Sequence, residues 1–241
     1  ESLIEQHWAV MGETDPQRRV KLIVDEWGAW HSQDPSLPAG YLFGYPGALR
    51  DALISGLTLD TFNRHADKVV MANVAQLINT IHSLFVAYED KFVATPNFHV
   101  FEMYSAHQGG QSLRTMFSAP RLSYKRTPPN NPPPPGIPAL PSGGSLWGLQ
   151  GSASLNGKQL TLTVVNPHAT EARETEIVVR GAIVNSGQST TLSSTDIHAH
   201  NNFENPHGLE PRKEEMKVGS GRALVYTFGP ASVTRLQMTL A

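Results

Sequence analysis

The chain has 241 residues, 39% of them hydrophobic, enough for one large domain or two smaller ones around a sizeable core. Its 19 basic and 21 acidic residues nearly cancel, and no basic block or acidic tail marks a nucleic-acid footprint or an interaction arm. The absence of cysteine excludes disulfides, thiolate metal sites and cysteine nucleophiles, and no apolar run is long enough for a membrane-crossing helix.

Leu3, Ile4, Trp8 and Met11 recur at helical spacing, and Gly12 with the polar residues after it ends that pattern. The chain opens on Glu1 inside this helix, so it reads as part of a longer protein. Val20 to Val24, interrupted only by Lys21, reads as a short strand buried on both faces, as in a parallel sheet covered by helices. Asp25, Glu26, Trp27, Gly28 and Trp30 follow at once. Ligands bind at the carboxyl ends of parallel strands, so Glu26 is a candidate working carboxylate and the two tryptophans a candidate platform for a ring-shaped ligand. A solvated charge or a helix cap is the ordinary role of an acidic residue there, and tryptophans also serve as core.

Residues 31–46, rich in Pro, Gly, Ser and Tyr, read as a long loop leaving the strand's carboxyl end. Ala48 to Phe62 places Leu49, Ala52, Leu53, Leu57 and Phe62 along one side of a helix. Val69 to Phe85 carries Val70, Val74, Leu77, Ile78, Ile81 and Phe85 and predicts a second helix, with Asn73, Gln76 and Asn79 in a bonded seam. Lys91–Thr95 predicts a strand stopped by Pro96, and Phe98–Tyr104 a helix capped by Asn97. The alternation of helix and strand is that of an α/β architecture.

Beyond about residue 110 the helical period vanishes. Met116 to Lys125 reads as extended, and 127–144 as an exposed proline-rich loop. Leu160, Leu162 and Val164 alternate on one strand, Ile177 and Val179 on another, and 222–228 and 233–240 predict two more. This is the pattern of an antiparallel β-sandwich. The sequence therefore divides into an α/β unit, 1–110, and an all-β domain, 111–241. Two strands cannot close a parallel sheet, so the α/β unit needs further strands from upstream of Glu1.

No nucleophile elbow, phosphate loop or dinucleotide fingerprint is present. Asp196, His198 and His200 would share a face on an extended strand, but their polar surroundings suit solvated histidines in a loop better than a metal site. Aromatic rings beside carboxylates at a cleft suit sugars.

The segments KLIVDEWGAWH, RDALISGLTLDTFNRHADKVVMANVAQLIN and TPNFHVFEMYSAHQG, with the later HNNFENPHGLEP, closely resemble the carboxyl-terminal half of the family 51 α-L-arabinofuranosidases, over essentially the whole chain. The resemblance implies the last part of a (β/α)8 TIM barrel followed by a β-sandwich. It implies an exo-acting, retaining glycosidase that releases terminal arabinofuranosyl units from arabinan, arabinoxylan or arabino-oligosaccharides. Glu26 maps onto the nucleophile at the end of the seventh barrel strand, and Trp30 onto a tryptophan beside the sugar. Trp27 joins the candidate substrate contacts. Thr95 stands near a glutamine that contacts sugar in some members, and TPNFHVF resembles the eighth strand and its exit. Asp25 is left as a structural neighbour.

The family's acid/base glutamate, which follows an asparagine at the end of the fourth strand, has no counterpart here, so the upstream half of the same protein must supply it. No metal or organic cofactor is implied. A homo-oligomer, in many members a hexamer, is, and a cytoplasmic location is favoured over a periplasmic or secreted one. Another retaining barrel glycosidase, such as an endo-glucanase or xylanase, and a non-catalytic carbohydrate-binding protein remain as alternatives.

Overall fold

The computed structural model describes residues 1–29, 31, 47–74, 76–126, 141–219 and 223–241. Trp30, nearly all of the 31–46 loop and most of the proline-rich stretch lie outside the described residues. Helix α1 (Ser2–Thr14) precedes strand β1 (Leu22–Trp27), and Arg18 folds back over the Trp8 ring, 4.6 Å from its centre. Helix α2 (Leu49–Arg64) returns the chain to β2 (Val69–Val74), which lies parallel to β1. A parallel pair needs such a crossover, so β1–α2–β2 is one βαβ unit.

The helix expected over Val69–Phe85 does not form. Its first residues are β2, and its end begins β3 (Phe85–Tyr88). The apolar spacing was compatible with a helix, but Val69, Val70 and Val74 are β-branched and β1 offers them a parallel partner. Asn79 (φ 59°) and His82 (φ 55°) then take left-handed backbone conformations, which a right-handed helix cannot contain. The expected polar seam dissolves with the helix: Asn73 and Gln76 are exposed, and Asn79 pairs through its side chain with the N–H and C=O of Ala87.

Strand β4 (Lys91–Ala94) forms an antiparallel hairpin with β3 and not a second parallel strand. The segment TPNFHVF opens helix α3 (Pro96–Tyr104), so β2, rather than this segment, is the strand that follows β1 in its sheet. Pro96 occupies the first helical turn, where its missing N–H costs nothing. Thr95, not Asn97, is the N-cap residue. Asn97 is buried inside the helix and accepts a hydrogen bond from Ser55 Oγ at 2.9 Å.

A short 3-10 turn (Ser105–His107) leads into the β-rich part: β5 (Gln111–Leu113), β6 (Arg121–Lys125), β7 (Gly143–Trp147), β8 (Gln150–Asn156), β9 (Gln159–Asn166), β10 (Arg173–Val178), β11 (Val184–Ser193), β12 (Arg212–Glu215), β13 (Ala223–Phe228) and β14 (Ser232–Leu240). Six strands form one antiparallel sheet in the order β12-β11-β14-β9-β8-β5, while β10–β13 and β6–β7 form two-stranded sheets. The alternation on β9 puts Leu160, Leu162 and Val164 into a core with Leu236 and Met238 of β14 and Leu224 and Phe228 of β13, so β13 covers that face of the large sheet as the second layer of a sandwich.

The opposite face of the large sheet receives the helices. Val165 and Val233 pack with Leu49, Ala52 and Leu53 of α2 and with Val100, Met103 and Tyr104 of α3. Gly56 permits the close approach: a Cβ there would stand 2.8 Å from Val165 Cγ2. The helices and the sheet also share a buried polar cluster. Asp60 accepts hydrogen bonds from Thr163 Oγ1 (2.6 Å), Ser152 Oγ (2.7 Å) and the Tyr104 hydroxyl (2.9 Å). Burial outweighs these donors and raises the Asp60 pKa to about 7.

Candidate active site

The pairing of β1 with β2 shifts once between Leu22 and Ile23 and then runs in step to Val24, which pairs with Ala72. The next pair is Trp27 with Val74, so the register shifts by one residue across Asp25 and Glu26. A strand that gains a residue in this way bends and re-aims its side chains, a device frequent beside active sites. Here Asp25 and Glu26 are both exposed while Trp27 turns inward. The Trp27 ring stacks on Phe101 of α3, with centroids 6.0 Å apart and planes 10° from parallel, and meets Phe62 of α2 edge-on at 5.7 Å. Its contacts are those of a packing residue that anchors the end of β1 to both helices.

The chain beyond Trp27 is held from beneath by residues that the linear sequence does not mark. Gly28 (φ 154°) lies against the buried His82 ring. His31 Nε2–H donates to Asp51 Oδ1 at 2.8 Å, and His82 Nε2 stands 3.3 Å from the same oxygen. The other Asp51 oxygen accepts the Ala48 N–H at 2.8 Å and so caps the start of α2. Asp51 is completely buried. Burial lowers the His82 pKa; the Asp51 charge opposes this and His31 adds to it. Three residues from three segments thus meet, with the His82 ring against Gly28. The only signal in the sequence was an acidic residue in the first turn of a strong helix, which reads as a cap.

A loop of the β-sandwich completes this support. The Leu49 and Arg50 N–H groups, orphans of the first turn of α2, donate to the carbonyls of Ala199 and Ile197, each at 2.9 Å. Asn201 is buried in the same loop. Its Nδ2 donates to Ala94 O and Leu209 O, and its Oδ1 accepts the Leu209 N–H. Thr95, beside Ala94, is buried, and its hydroxyl donates to Ser83 O at 2.8 Å, which ties it to the backbone next to His82. Asp196, His198 and His200 bond within their own turn: Asp196 accepts the His198 N–H, and His200 Nδ1 donates to His198 O. Among the described residues no group of three acidic or histidine side chains converges as a metal site.

A solvent-facing carboxylate at the carboxyl end of a parallel strand, braced against an antiparallel sandwich, is a site of the kind that glycoside hydrolases use. The family model of the α-L-arabinofuranosidase C-terminal domain matches residues 25–232, and the chain belongs to that family, as the carboxyl-terminal part of a glycoside hydrolase family 51 protein. It is similar to an intracellular exo-α-L-arabinofuranosidase of Bacteroides ovatus, 27% identical over 238 residues, which cover 97% of this chain and 43% of that protein. The crystal structure of the family 51 arabinofuranosidase from Xanthomonas axonopodis pv. citri superposes with a TM-score of 0.84 at 26% identity, covering 99% of this chain and 45% of that one. The thermostable family 51 enzyme of Thermotoga petrophila RKU-1 gives 0.75 at 25% identity, covering 98% and 46%. The chain thus spans a little under half the length of the relatives it matches.

Proposed function

We propose that this chain carries the nucleophile half of an exo-acting, retaining α-L-arabinofuranosidase that releases terminal arabinofuranosyl units from arabinan, arabinoxylan or arabino-oligosaccharides. The observation that carries the reading is the register shift at the end of β1, which exposes Glu26 within a chain of this family. Glu26, ionised, attacks the anomeric carbon as the glycosidic bond breaks, and a glutamate from outside residues 1–241 protonates the leaving oxygen. The same glutamate then removes a proton from the water that hydrolyses the glycosyl-enzyme. Trp30 borders the sugar, Thr95 and Trp27 support the site by packing, and Asp25 is a structural neighbour.

In this reading β1 and β2 are the last two strands of a (β/α)8 barrel, residues 1–110 belong to the barrel, and 111–241 form the sandwich. The exposed apolar side chains of Ile23, Val70 and Met71 support it, because parallel strands are ordinarily covered on both faces. The upstream half of the same protein supplies that cover. Assembly as a homo-oligomer and a cytoplasmic location belong to the same proposal. Among the described residues no helix is long and apolar enough to cross a membrane.

The test is Glu26→Gln in the complete enzyme, assayed on a chromogenic α-L-arabinofuranoside. We expect turnover to fall by roughly three orders of magnitude or more with the fold retained. Near-normal hydrolysis by the variant would remove Glu26 from the chemistry.

A further inference from the structure

We propose that Asp51 is the positioning residue of the Glu26 site, its buried carboxylate holding His31 and His82 in one arrangement around the chain that leaves β1. The inference rests on the reading of Glu26 as the nucleophile and concerns what fixes that carboxylate in place.

The geometry is that of a pin through three segments. One Asp51 oxygen binds the Ala48 N–H and fixes the carboxyl group to the first turn of α2. The other faces His31 at 2.8 Å and His82 at 3.3 Å. His31 closes the short segment that begins at Glu26. His82 comes from the β2–β3 connection, and its ring supports Gly28, where a Cβ would stand 3.1 Å from His82 Cγ. Gly28 and His31, on either side of position 30, are therefore both referred to one carboxylate. His82 is buried with neither ring nitrogen in a hydrogen bond of good geometry, and its backbone is left-handed. Such costs persist where the surroundings over-determine a conformation, and they gather at functional sites.

The support extends into the sandwich. Because Ala199 O and Ile197 O hold the first N–H groups of α2, the helix end that carries Asp51 is fixed by the other domain. A nucleophile must be held to a fraction of an ångström, and a displacement of about 1 Å costs on the order of a hundredfold in rate. Asp51 is completely buried, so it acts on the reaction through the segment it holds.

The experiment is a double-mutant cycle in the complete enzyme. Asp51→Asn is made in the wild-type background and in Glu26→Ala, where azide replaces the lost nucleophile and attacks the anomeric carbon of a 4-nitrophenyl arabinofuranoside as nitrophenolate departs. In the wild-type background we expect kcat to fall by about 10- to 100-fold with KM changed less than about threefold. In the azide-rescued background the same substitution should change the rate by less than about threefold, because the side chain it positions is gone. A loss below about threefold in the wild-type background, or an equal loss in both backgrounds, overturns the proposal. If Glu26→Ala alone, without azide, keeps near-normal activity, it is the nucleophile assignment that falls, a result read independently of Asp51. Should Asp51→Asn not fold, His82→Gln, which leaves the α2 cap intact, is expected to give a smaller kcat loss that likewise disappears in the azide-rescued background. Its persistence there would equally overturn the proposal.

Discussion

The His82 ring lies directly against the Cα of Gly28, two positions beyond Glu26. A Cβ at position 28 would meet His82 Cγ at 3.1 Å and Cδ2 at 3.2 Å, and the backbone there (φ 154°) is one that side-chain-bearing residues rarely adopt. Neither atom belongs to the flexible end of a side chain, because the His82 ring is buried with Asp51 behind it.

Gly28→Ala should therefore displace the backbone that follows Glu26, the carboxylate proposed as nucleophile. We expect a destabilisation of about 1–3 kcal/mol and a fall in kcat of about tenfold or more in the complete enzyme. Thermal melting and steady-state kinetics on a chromogenic arabinofuranoside check this. A variant with wild-type rate and melting temperature would show that the contact between Gly28 and His82 does not constrain the site.

Asp60 makes the stability of the chain pH-dependent. Its pKa rises from 3.8 to about 7 in the folded state because the carboxyl group is fully buried, the Thr163, Ser152 and Tyr104 donors offsetting only part of that effect. The folded state thus holds the proton where the unfolded chain has released it. The associated stability is complete below about pH 4 and is lost as the pH rises through about 7, up to roughly 4 kcal/mol in all. Asp60→Asn should lower stability in acid but remove this slope. The measurement is the melting temperature at about pH 5 and about pH 8. A wild type whose decline over that interval equals that of the variant would refute the assignment.

Asn201 links the sandwich loop to the end of β4 through a bond to Ala94 O, and closes the loop on itself through bonds to Leu209 O and the Leu209 N–H. Asn201→Ala leaves these buried groups unsatisfied, and we expect a loss of about 2–4 kcal/mol. Since Ala199 and Ile197 in the same loop accept the first N–H groups of α2, the Leu49 and Arg50 amides should also exchange faster. Denaturant titration and hydrogen exchange test the two parts. Unchanged protection of Leu49 and Arg50 would separate the loop from the helix start.

Local regularities were legible without the structure. A strand beside Asp25 and Glu26, the helix after residue 48, and the alternation on β9 and β14 follow from side-chain periodicity over a few residues, although the strand runs over Leu22–Trp27 and not Val20–Val24 and leaves Ile23 exposed. The segment from Val69 to Phe85 was not legible, because apolar residues spaced like a helical face also fit a strand, a turn and a second strand. The choice was made by β1, which supplies the hydrogen-bonding partner, and β1 is distant in the chain.

By itself, then, the sequence determined where the carboxylates sit along the chain, which residues are apolar, and which family the chain resembles. Tertiary structure alone decided that Trp27 packs on Phe62 and Phe101, that Asn97 is a core residue and not a cap, and that His31, Asp51 and His82 meet, with the His82 ring against Gly28. The physical reason is the range of the interactions. Periodicity and capping act between neighbours in the chain, whereas a buried carboxylate finds its partners only after helices and sheet have excluded water from between them.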